Sequence, residues 1–249
     1  MTKHMTPPLD ENTRRYYLDV MGVQCWESRD PQSLTDDSVD DVGIEATVES
    51  NTEVADTGWQ HLDEAVRQCD KCPLHEERKQ ALTGRGNLSA ELMFVVLSPN
   101  ARDDDNGVIC SEAVNDLLSK MLAAIDINID DVYISSLLKC AVPANHTVLP
   151  EEIRSCHDYL KRQIQLIRPK LLVVLGEIAV RCLLQKDLGI DDFRALNPDQ
   201  SDQGQLGQIE STPLFVSYSP EELMQQAEDK RKAWSDLQQL QKIINNLRQ

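Results

Sequence analysis

One stretch of the chain decides its fold: PEEIRSCHDYLKRQIQLIRPKLLVVLG, which is Pro150–Gly176. Its first part predicts a helix over Pro150–Arg168, because proline suits the first turn of a helix and the two glutamates after it suit the positive end of the helix dipole. Pro169 ends that helix, and the apolar run Leu171–Leu175 then predicts a buried strand. A fully apolar strand directly after a helix is typical of a parallel sheet that helices cover.

The same alternation extends over residues 58–249. Further strands are predicted at Leu92–Leu97, Val132–Leu138 and Leu214–Ser217. Further helices are predicted at Ala113–Ile125, Glu177–Leu184 and Glu221–Leu247. The last of these has one apolar stripe that we expect to lie in the core: Trp234, Leu237, Leu240, Ile244 and Leu247. The alternation predicts an α/β domain with a mostly parallel central sheet that is covered on both faces.

The first 57 residues differ from this domain in composition. Between Asp30 and Val66 there are eleven acids and no Lys or Arg, so residues 29–57 are predicted to be an acidic disordered linker. Residues 1–28 are predicted to be a flexible arm that carries a partner-binding peptide. Its side chains can fold back on the domain, dock into another protein's groove or stay disordered. The predicted partner-binding residues are Arg14, Arg15, Tyr16, Leu18, Met21, Val23 and Trp26.

Charge and hydropathy exclude several classes of function. A formal net charge of −17 opposes direct binding to DNA, since affinity for phosphates comes from Lys and Arg. No apolar run approaches the roughly 20 residues of a membrane span, and the first residues contain no apolar core of a secretory signal. We therefore expect a cytoplasmic protein that has no membrane partner and no strong direct DNA binding. Disulfides are rare in the cytoplasm, so the seven cysteines need another explanation.

Four of the cysteines form a candidate metal site. Cys69 and Cys72 are a C-x2-C pair, while Cys140 follows the second predicted strand and Cys156 lies in a predicted helix. Four thiolates suit tetrahedral zinc or an iron–sulfur cluster, and the spacing alone does not choose between them. Buried free cysteines are also ordinary small hydrophobic residues. We expect the three other cysteines to be of this kind: Cys25, Cys110 and Cys182.

Four segments, in this order, resemble the family 4 uracil-DNA glycosylases: CDKCPLHEERKQALTGRGN (Cys69–Asn87), Leu92–Val96, DVYISSLLKC (Asp131–Cys140) and Pro150–Gly176. The resemblance covers most of residues 65–220. It implies the uracil-DNA glycosylase-like fold, a three-layer α/β sandwich. It also implies that the four candidate ligands hold a [4Fe-4S] cluster: Cys69, Cys72, Cys140 and Cys156.

The same resemblance implies that the catalytic positions of the family have been lost. The carboxylate of its Gly-Glu-Ala/Gly-Pro-Gly motif matches Leu97, and the phenylalanine that stacks on uracil matches Cys110. The asparagine that reads the base edge matches Ser136, and the histidine of the His-Pro motif matches Ser219. A glycosylase must hold a flipped base in a fitted pocket. These four replacements predict a domain that has no catalytic residues and is not an enzyme.

An enzymatic alternative uses other residues of the same domain. Its candidate groups come from the acidic run after the first strand and from a histidine at an arginine position of the family's basic loop: Asp103, Asp104, Asp105 and His146. An acidic run in this position is more often a solvated loop. The alternative is a diverged uracil-DNA glycosylase superfamily enzyme or a DNA-repair factor.

The segment RRYYLDVMGVQCW (Arg14–Trp26) resembles the N-terminal peptide of the psi subunit of bacterial DNA polymerase III. In that family the peptide binds the clamp-loader tau/gamma subunits, and the globular domain binds the chi subunit. The resemblance implies a non-catalytic replication adaptor of the bacterial cytoplasm, a psi-like accessory subunit that bridges tau/gamma to chi. The cluster would then be a structural staple.

Overall fold

The computed structural model describes residues 51–184, 188–196 and 208–248. The predicted partner-binding peptide and Cys25 lie outside these residues, as does most of the predicted linker. The first described helix, α1 (Asn51–Arg67), begins inside the segment that was predicted as linker.

A six-stranded sheet forms the centre of the domain. Its strands are β1 (Arg85–Gly86), β2 (Leu92–Val96), β3 (Tyr133–Ser136), β4 (Leu171–Leu175), β5 (Gln208–Ile209) and β6 (Thr212–Ser217). The order across the sheet is β1-β3-β2-β4-β6-β5. The four inner strands are parallel, and the two short edge strands are antiparallel to their neighbours. The predicted mostly parallel sheet is therefore confirmed.

Eight further helices follow α1 in the described part of the chain. They are α2 (Leu74–Glu77), α3 (Ala101–Asn106), α4 (Glu112–Ala123), α5 (Pro150–Ile167), α6 (Glu177–Leu184), α7 (Ile190–Leu196), α8 (Pro220–Gln225) and α9 (Lys230–Leu247). Every residue of β2 and of β4 is buried. Successive side chains of a strand point to opposite faces, so helices cover both faces of the sheet. This arrangement confirms the predicted α/β sandwich.

The C-terminal segment differs from its prediction as a single helix over Glu221–Leu247. Helix α8 ends at Gln225, because Gln226 has φ −121° and ψ 86°, and α9 begins at Lys230. Helix α8 packs against α4, whereas α9 packs against β6. One straight helix could not reach both partners.

The apolar stripe of α9 is only partly a core surface. Leu237, Leu240 and Ile244 are buried, but Trp234 is 44% exposed. The prediction that Trp234 lies in the core is therefore wrong. No helix among the described residues combines the length and the apolar character that a membrane span requires.

Candidate functional site

The carboxyl ends of the four parallel strands meet at one edge of the sheet, where ligands bind in open α/β folds. Backbone hydrogen bonds continue the pairing beyond the strands: Leu137 N donates to Val96 O at 2.9 Å, and Gly176 N donates to Ser217 O at 2.9 Å. The residues that follow β2, β3 and β6 therefore lie side by side. We call this region the carboxyl edge.

All four predicted lost catalytic positions lie at or next to the carboxyl edge. Ser136 ends β3 and pairs with Val96, the residue before the half-buried Leu97. Ser219 is the N-cap of α8, where its Oγ accepts a hydrogen bond from Glu222 N at 3.2 Å. The backbone amide of Cys110 donates a 3.0 Å hydrogen bond to Asp103, in the segment that follows Leu97. The structure thus brings the four positions into one neighbourhood.

Ser136 is the position that corresponds to the base-reading asparagine. Its side chain is completely buried, and within the described residues its Oγ has no hydrogen-bond partner. A buried hydroxyl without a partner costs about 1–3 kcal/mol. It is therefore a donor and acceptor that a ligand or a water molecule can engage.

The acidic run after β2 is not the solvated loop that was predicted. It forms α3, which Asn100 caps, and both Asp103 and Asp104 are buried. Asp103 accepts hydrogen bonds from the backbone N–H groups of Asn100 at 3.2 Å, Cys110 at 3.0 Å and Ser111 at 2.7 Å. These bonds hold Cys110 in a left-handed conformation with φ 51°.

The other groups of the enzymatic alternative are also engaged in structural contacts. Asp104 accepts hydrogen bonds from Lys79 N at 2.8 Å and Gln80 N at 2.9 Å, and the exposed Asp105 pairs with the Lys79 ammonium. His146 Nε2 lies 2.9 Å from both oxygens of the fully buried Glu152. These four side chains fix loops rather than face the carboxyl edge as free acids or bases.

One pair at the carboxyl edge was missed by the sequence reasoning. Asn100 Nδ2 donates a 2.6 Å hydrogen bond to Glu221 Oε1, and both side chains are half-buried. Burial, with the charges of Asp103 and Glu221 beside it, raises the pKa of Cys110 to about 12. Glu221 is thus a carboxylate close to two of the family positions, Cys110 and Ser219. The signal was weak, because Glu221 lies two residues after Ser219 in an ordinary helix start.

A second missed group is the buried Lys139. Its Nζ donates to Ser135 Oγ at 2.8 Å, to Ser136 O at 2.6 Å and to Gln163 Oε1 at 2.7 Å. Burial lowers its pKa to about 7. Lys139 thereby holds the backbone carbonyl of Ser136 in place. In the sequence it directly precedes Cys140.

The four candidate ligand cysteines lie in one buried cluster. Cys69 and Cys72 come from the loop between α1 and α2, Cys140 follows β3, and Cys156 lies in α5. The four share a small core with Leu62, Val66, Leu74, Ala81, Leu138 and Tyr159. All four are free thiols. The fold therefore brings together cysteines that are up to 87 positions apart along the chain, from Cys69 to Cys156.

The electrostatics of this cluster suit a bound cation. Burial raises the pKa of Cys72 and of Cys140, and it raises that of Cys156 to about 11. Repulsion from the neighbouring cysteines adds to each of these pKa shifts. In Cys72, Cys140 and Cys156 the protonated form is therefore favoured, and a metal that binds there must displace the proton.

Arg78 faces the cluster directly. Its Nη1 donates to Cys140 Sγ at 2.9 Å, and its Nη2 donates to Cys69 O at 2.6 Å. A guanidinium keeps its charge in this setting and favours a thiolate at Cys140.

Over the ranges that the structure describes, no group of three or more His, Cys, Asp or Glu side chains is arranged around a single ion. Four thiolates suit tetrahedral zinc or an iron–sulfur cluster, in which they bind different irons. The four cysteines share one buried core and so supply a ligand set of the right chemistry for either group.

Comparison with known proteins identifies the domain. A family model described as the Uracil DNA glycosylase superfamily matches residues 83–238. The type-4 uracil-DNA glycosylase of Archaeoglobus fulgidus is 42% identical over 123 residues, which are 48% of this chain and 62% of that protein. The type-4 uracil-DNA glycosylase of Pyrobaculum aerophilum is 36% identical over 126 residues, 51% of this chain and 64% of that protein.

A third relative extends the same pattern. The type-4 uracil-DNA glycosylase of Thermotoga maritima is 36% identical over 119 residues, which are 48% of this chain and 62% of that protein. The chain thus spans less than two thirds of the length of each of these three relatives.

These similarities overturn the replication-adaptor prediction. Relatives that are 36–42% identical to this chain are named as DNA glycosylases. The predictions of a non-enzymatic function, of tau/gamma and chi as partners, and of no strong direct DNA binding were therefore wrong. These predictions depended on four replaced side chains, whereas the similarity to the glycosylase superfamily extends over every strand of the sheet. The resemblance of Arg14–Trp26 to the psi peptide gains no support, and those residues lie outside the described ranges.

Proposed function

Because the chain belongs to the uracil-DNA glycosylase superfamily, we propose that it is a DNA-repair glycosylase, which cleaves the bond between a damaged base and its deoxyribose. The observation that carries this proposal is the family match over residues 83–238, which includes all six strands in full and the start of α9 together with the carboxyl edge. Uracil is the first substrate to test, since it is the base for which the relatives are named.

Cys69, Cys72, Cys140 and Cys156 are the residues that we propose to hold a [4Fe-4S] cluster. The buried core that these four thiols share supports this assignment. When it is bound, the cluster supplies iron–thiolate bonds that join the α1–α2 loop, the segment after β3 and α5.

We place the flipped base at the carboxyl edge, beside Leu97, Cys110 and Ser136. A glycosylase reads such a base through hydrogen bonds to its edge and through contacts with its faces. The free Oγ of Ser136 can make one of these hydrogen bonds. Leu97 and Cys110 provide apolar contact in place of an aromatic ring. Recognition through a single hydroxyl predicts a pocket that discriminates among bases less strongly than one with a carboxamide.

Glu221 is the residue that we propose to orient the attacking water. Asn100 holds its carboxylate at 2.6 Å, and the pair lies beside the predicted base position. A positioned general base typically contributes 10²–10⁴-fold. Ser219 cannot stabilise the departing base as an imidazole does, and losing one such donor costs about 10²–10³-fold. We therefore expect base release that is slower than that of the type-4 relatives.

The proposal is tested with the full chain, purified without oxygen and mixed in excess with oligonucleotides that carry one uracil or one hypoxanthine. Released base and alkali-labile strand breaks are both measured, with the Archaeoglobus fulgidus relative as positive control. We expect release from at least one substrate, and Glu221→Gln should slow it by at least about 10²-fold. Glu228→Gln is the matched control, because Glu228 is an exposed carboxylate on the following 3-10 turn. Absence of release from every substrate contradicts the proposal.

A further inference from the structure

A groove of about 460 Å³ runs beside the edge strand β1. Its walls come from the end of α1, the segment from α2 to β1, and the residues that follow α3. Five basic side chains line it: Arg67, His75, Arg78, Lys79 and Arg85. Asp63 is the acidic residue among the described lining groups. The groove is thus a concentration of positive charge on a chain whose formal net charge is −17.

Two of these cations are anchored from behind. The Arg85 guanidinium donates to Ile109 O at 2.8 Å and to Asn115 Oδ1 at 2.5 Å, and Arg78 is held by Cys140 and Cys69. A guanidinium carries five N–H donors, so these contacts leave donors on each of the two side chains. Anchored cations lose little conformational entropy when an anion binds.

Arg67 and Lys79 are held instead by exposed ion pairs. Arg67 pairs with Asp63 at 2.8 Å, and Lys79 pairs with Asp105. The Arg67 and Lys79 side chains are 67% and 69% exposed. Ion pairs of this kind stabilise a protein by only about 0.2–1 kcal/mol. A phosphate can therefore replace either carboxylate at small cost.

The groove leads to the carboxyl edge. Gly107, Val108 and Ile109 form one of its walls, and Cys110 follows them directly. Arg85 Nη2 also donates to Cys110 O at 3.2 Å. A DNA strand whose flipped base lies beside Cys110 would pass its neighbouring phosphates over this groove.

We propose that the groove binds backbone phosphates of the DNA strand that flank the flipped nucleotide. Arg67 and Lys79 make the exchangeable contacts, and Arg78 and Arg85 form the fixed floor. The proposal rests on the proposed function, since it places the DNA strand by the position of its damaged base.

Binding is measured by fluorescence anisotropy with a labelled single-stranded oligonucleotide at several salt concentrations. Each lost phosphate contact should lower the slope of log K against log salt by about 0.7. We expect this decrease in Arg67→Gln and in Lys79→Gln, and about twice as much in the double variant. Lys170→Gln is the matched control: Lys170 also forms an exposed ion pair, with Glu91, but at the amino ends of the strands.

Three outcomes overturn the proposal. Equal slopes in Lys79→Gln and Lys170→Gln would mean that only the overall charge matters. Competition by polyglutamate as strong as that by unlabelled DNA would mean that the groove selects acidic chains rather than phosphates. Displacement by inorganic phosphate alone, with no change of the DNA slope in either variant, also overturns it and indicates a site for free phosphate.

The same variants separate this proposal from the proposed function. With sub-saturating protein, Arg67→Gln and Lys79→Gln should slow base release in proportion to their weaker DNA binding, whereas Lys170→Gln should release base at a rate within about two-fold of the unaltered chain. If the chain releases no base but its variants show the lower slopes, the phosphate-binding role of the groove is supported and the glycosylase proposal is contradicted.

Discussion

At the scale of single residues, the buried carboxylates of this domain serve structure, and each has its own environment. Asp103 satisfies three backbone N–H groups and thereby shapes the loop that carries Cys110. A sequence shows only that an acid follows a strand. The contacts that give Asp103 its structural role come from Asn100, which precedes α3, and from Cys110 and Ser111, which follow it.

Asp103→Asn should destabilise the domain, because a carboxamide has one oxygen where the carboxylate uses two. At least one buried N–H then loses its partner, at a cost of about 1–3 kcal/mol. We expect a lower midpoint in thermal unfolding followed by circular dichroism. Asp105→Asn is the control, since Asp105 is exposed and holds only Lys79. Equal midpoints for the two variants would contradict the assigned role of Asp103.

Asp236 gives a pH-dependent effect. Burial raises its pKa to about 6 although Arg194 Nε lies 3.1 Å away and Ser217 Oγ donates at 2.9 Å. The folded state therefore binds a proton more tightly than the unfolded chain, whose aspartate pKa is about 3.9. The contribution of Asp236 to the free energy of unfolding is present below pH 4 and is lost as the pH rises through 6.

Asp236→Asn should remove this loss, because the amide stays neutral and can still accept from Ser217. As the pH rises from 4.5 to 7.5, the free energy of unfolding of the variant, measured in urea, should increase relative to that of the unaltered chain by on the order of 1–3 kcal/mol. Asp116→Asn, an exposed position on α4, should show no such trend. A pH trend in Asp116→Asn as large as that in Asp236→Asn would place its origin elsewhere.

At the scale of elements, β1 shows how a two-residue edge strand is held in place. Gly86 has φ 117°, and a Cβ there would lie 2.1 Å from Val132 O. Only glycine fits that approach to β3. Strand β1 lies between the groove and β3, and Arg85 is one of its two residues. The position of β1 therefore also sets the position of Arg85.

Gly86→Ala should displace β1 and lower both the thermal midpoint and the affinity for DNA. The clash is with backbone, which cannot yield as a side chain can. Gly58→Ala is the contrasting change: Gly58 lies inside α1, where a Cβ would meet the flexible end of Leu166 at 3.2 Å. We expect Gly58→Ala to be neutral or to stabilise α1 by up to about 1 kcal/mol. A Gly86→Ala protein with an unchanged midpoint would contradict this account of the edge strand.

At the scale of the whole molecule, charge misled the sequence reasoning. The formal net charge of −17 includes eleven acids between Asp30 and Val66, whereas the groove collects its basic side chains from two segments, the end of α1 and the segment from α2 to β1. A phosphate group responds to the charges near it more than to the net charge of the whole chain, because salt screens charges beyond roughly 8–10 Å. The negative net charge of the chain is therefore compatible with the phosphate site proposed for the groove.

The cysteine cluster joins segments of the whole domain, so its loss should be felt globally. Cys156→Ser should lower the iron and acid-labile sulfide per chain and reduce the thermal midpoint, since the staple between α5 and the α1–α2 loop is then weakened. Cys182→Ser changes a half-buried cysteine of α6 outside this cluster and should leave the iron content unchanged. Iron that persists in Cys156→Ser but disappears in Cys182→Ser would contradict the ligand assignment.

What the sequence by itself determined is the sheet and its helices. Strands such as Leu171–Leu175 and helices such as Pro150–Ile167 are encoded by periodicity and end signals within a few residues, so their bounds agree closely with the structure. The set of four cysteines was also visible, because their chemistry limits what they can do together.

The tertiary structure alone decided the surroundings of the site. Asn100 and Glu221 meet across 121 positions of the chain, and the break at Gln226 depends on α8 and α9 having different packing partners. The groove likewise forms only when β1, α1 and the residues after α3 come together. Local periodicity records which side of an element is buried, but the partner of a polar group is set by the packing of distant elements.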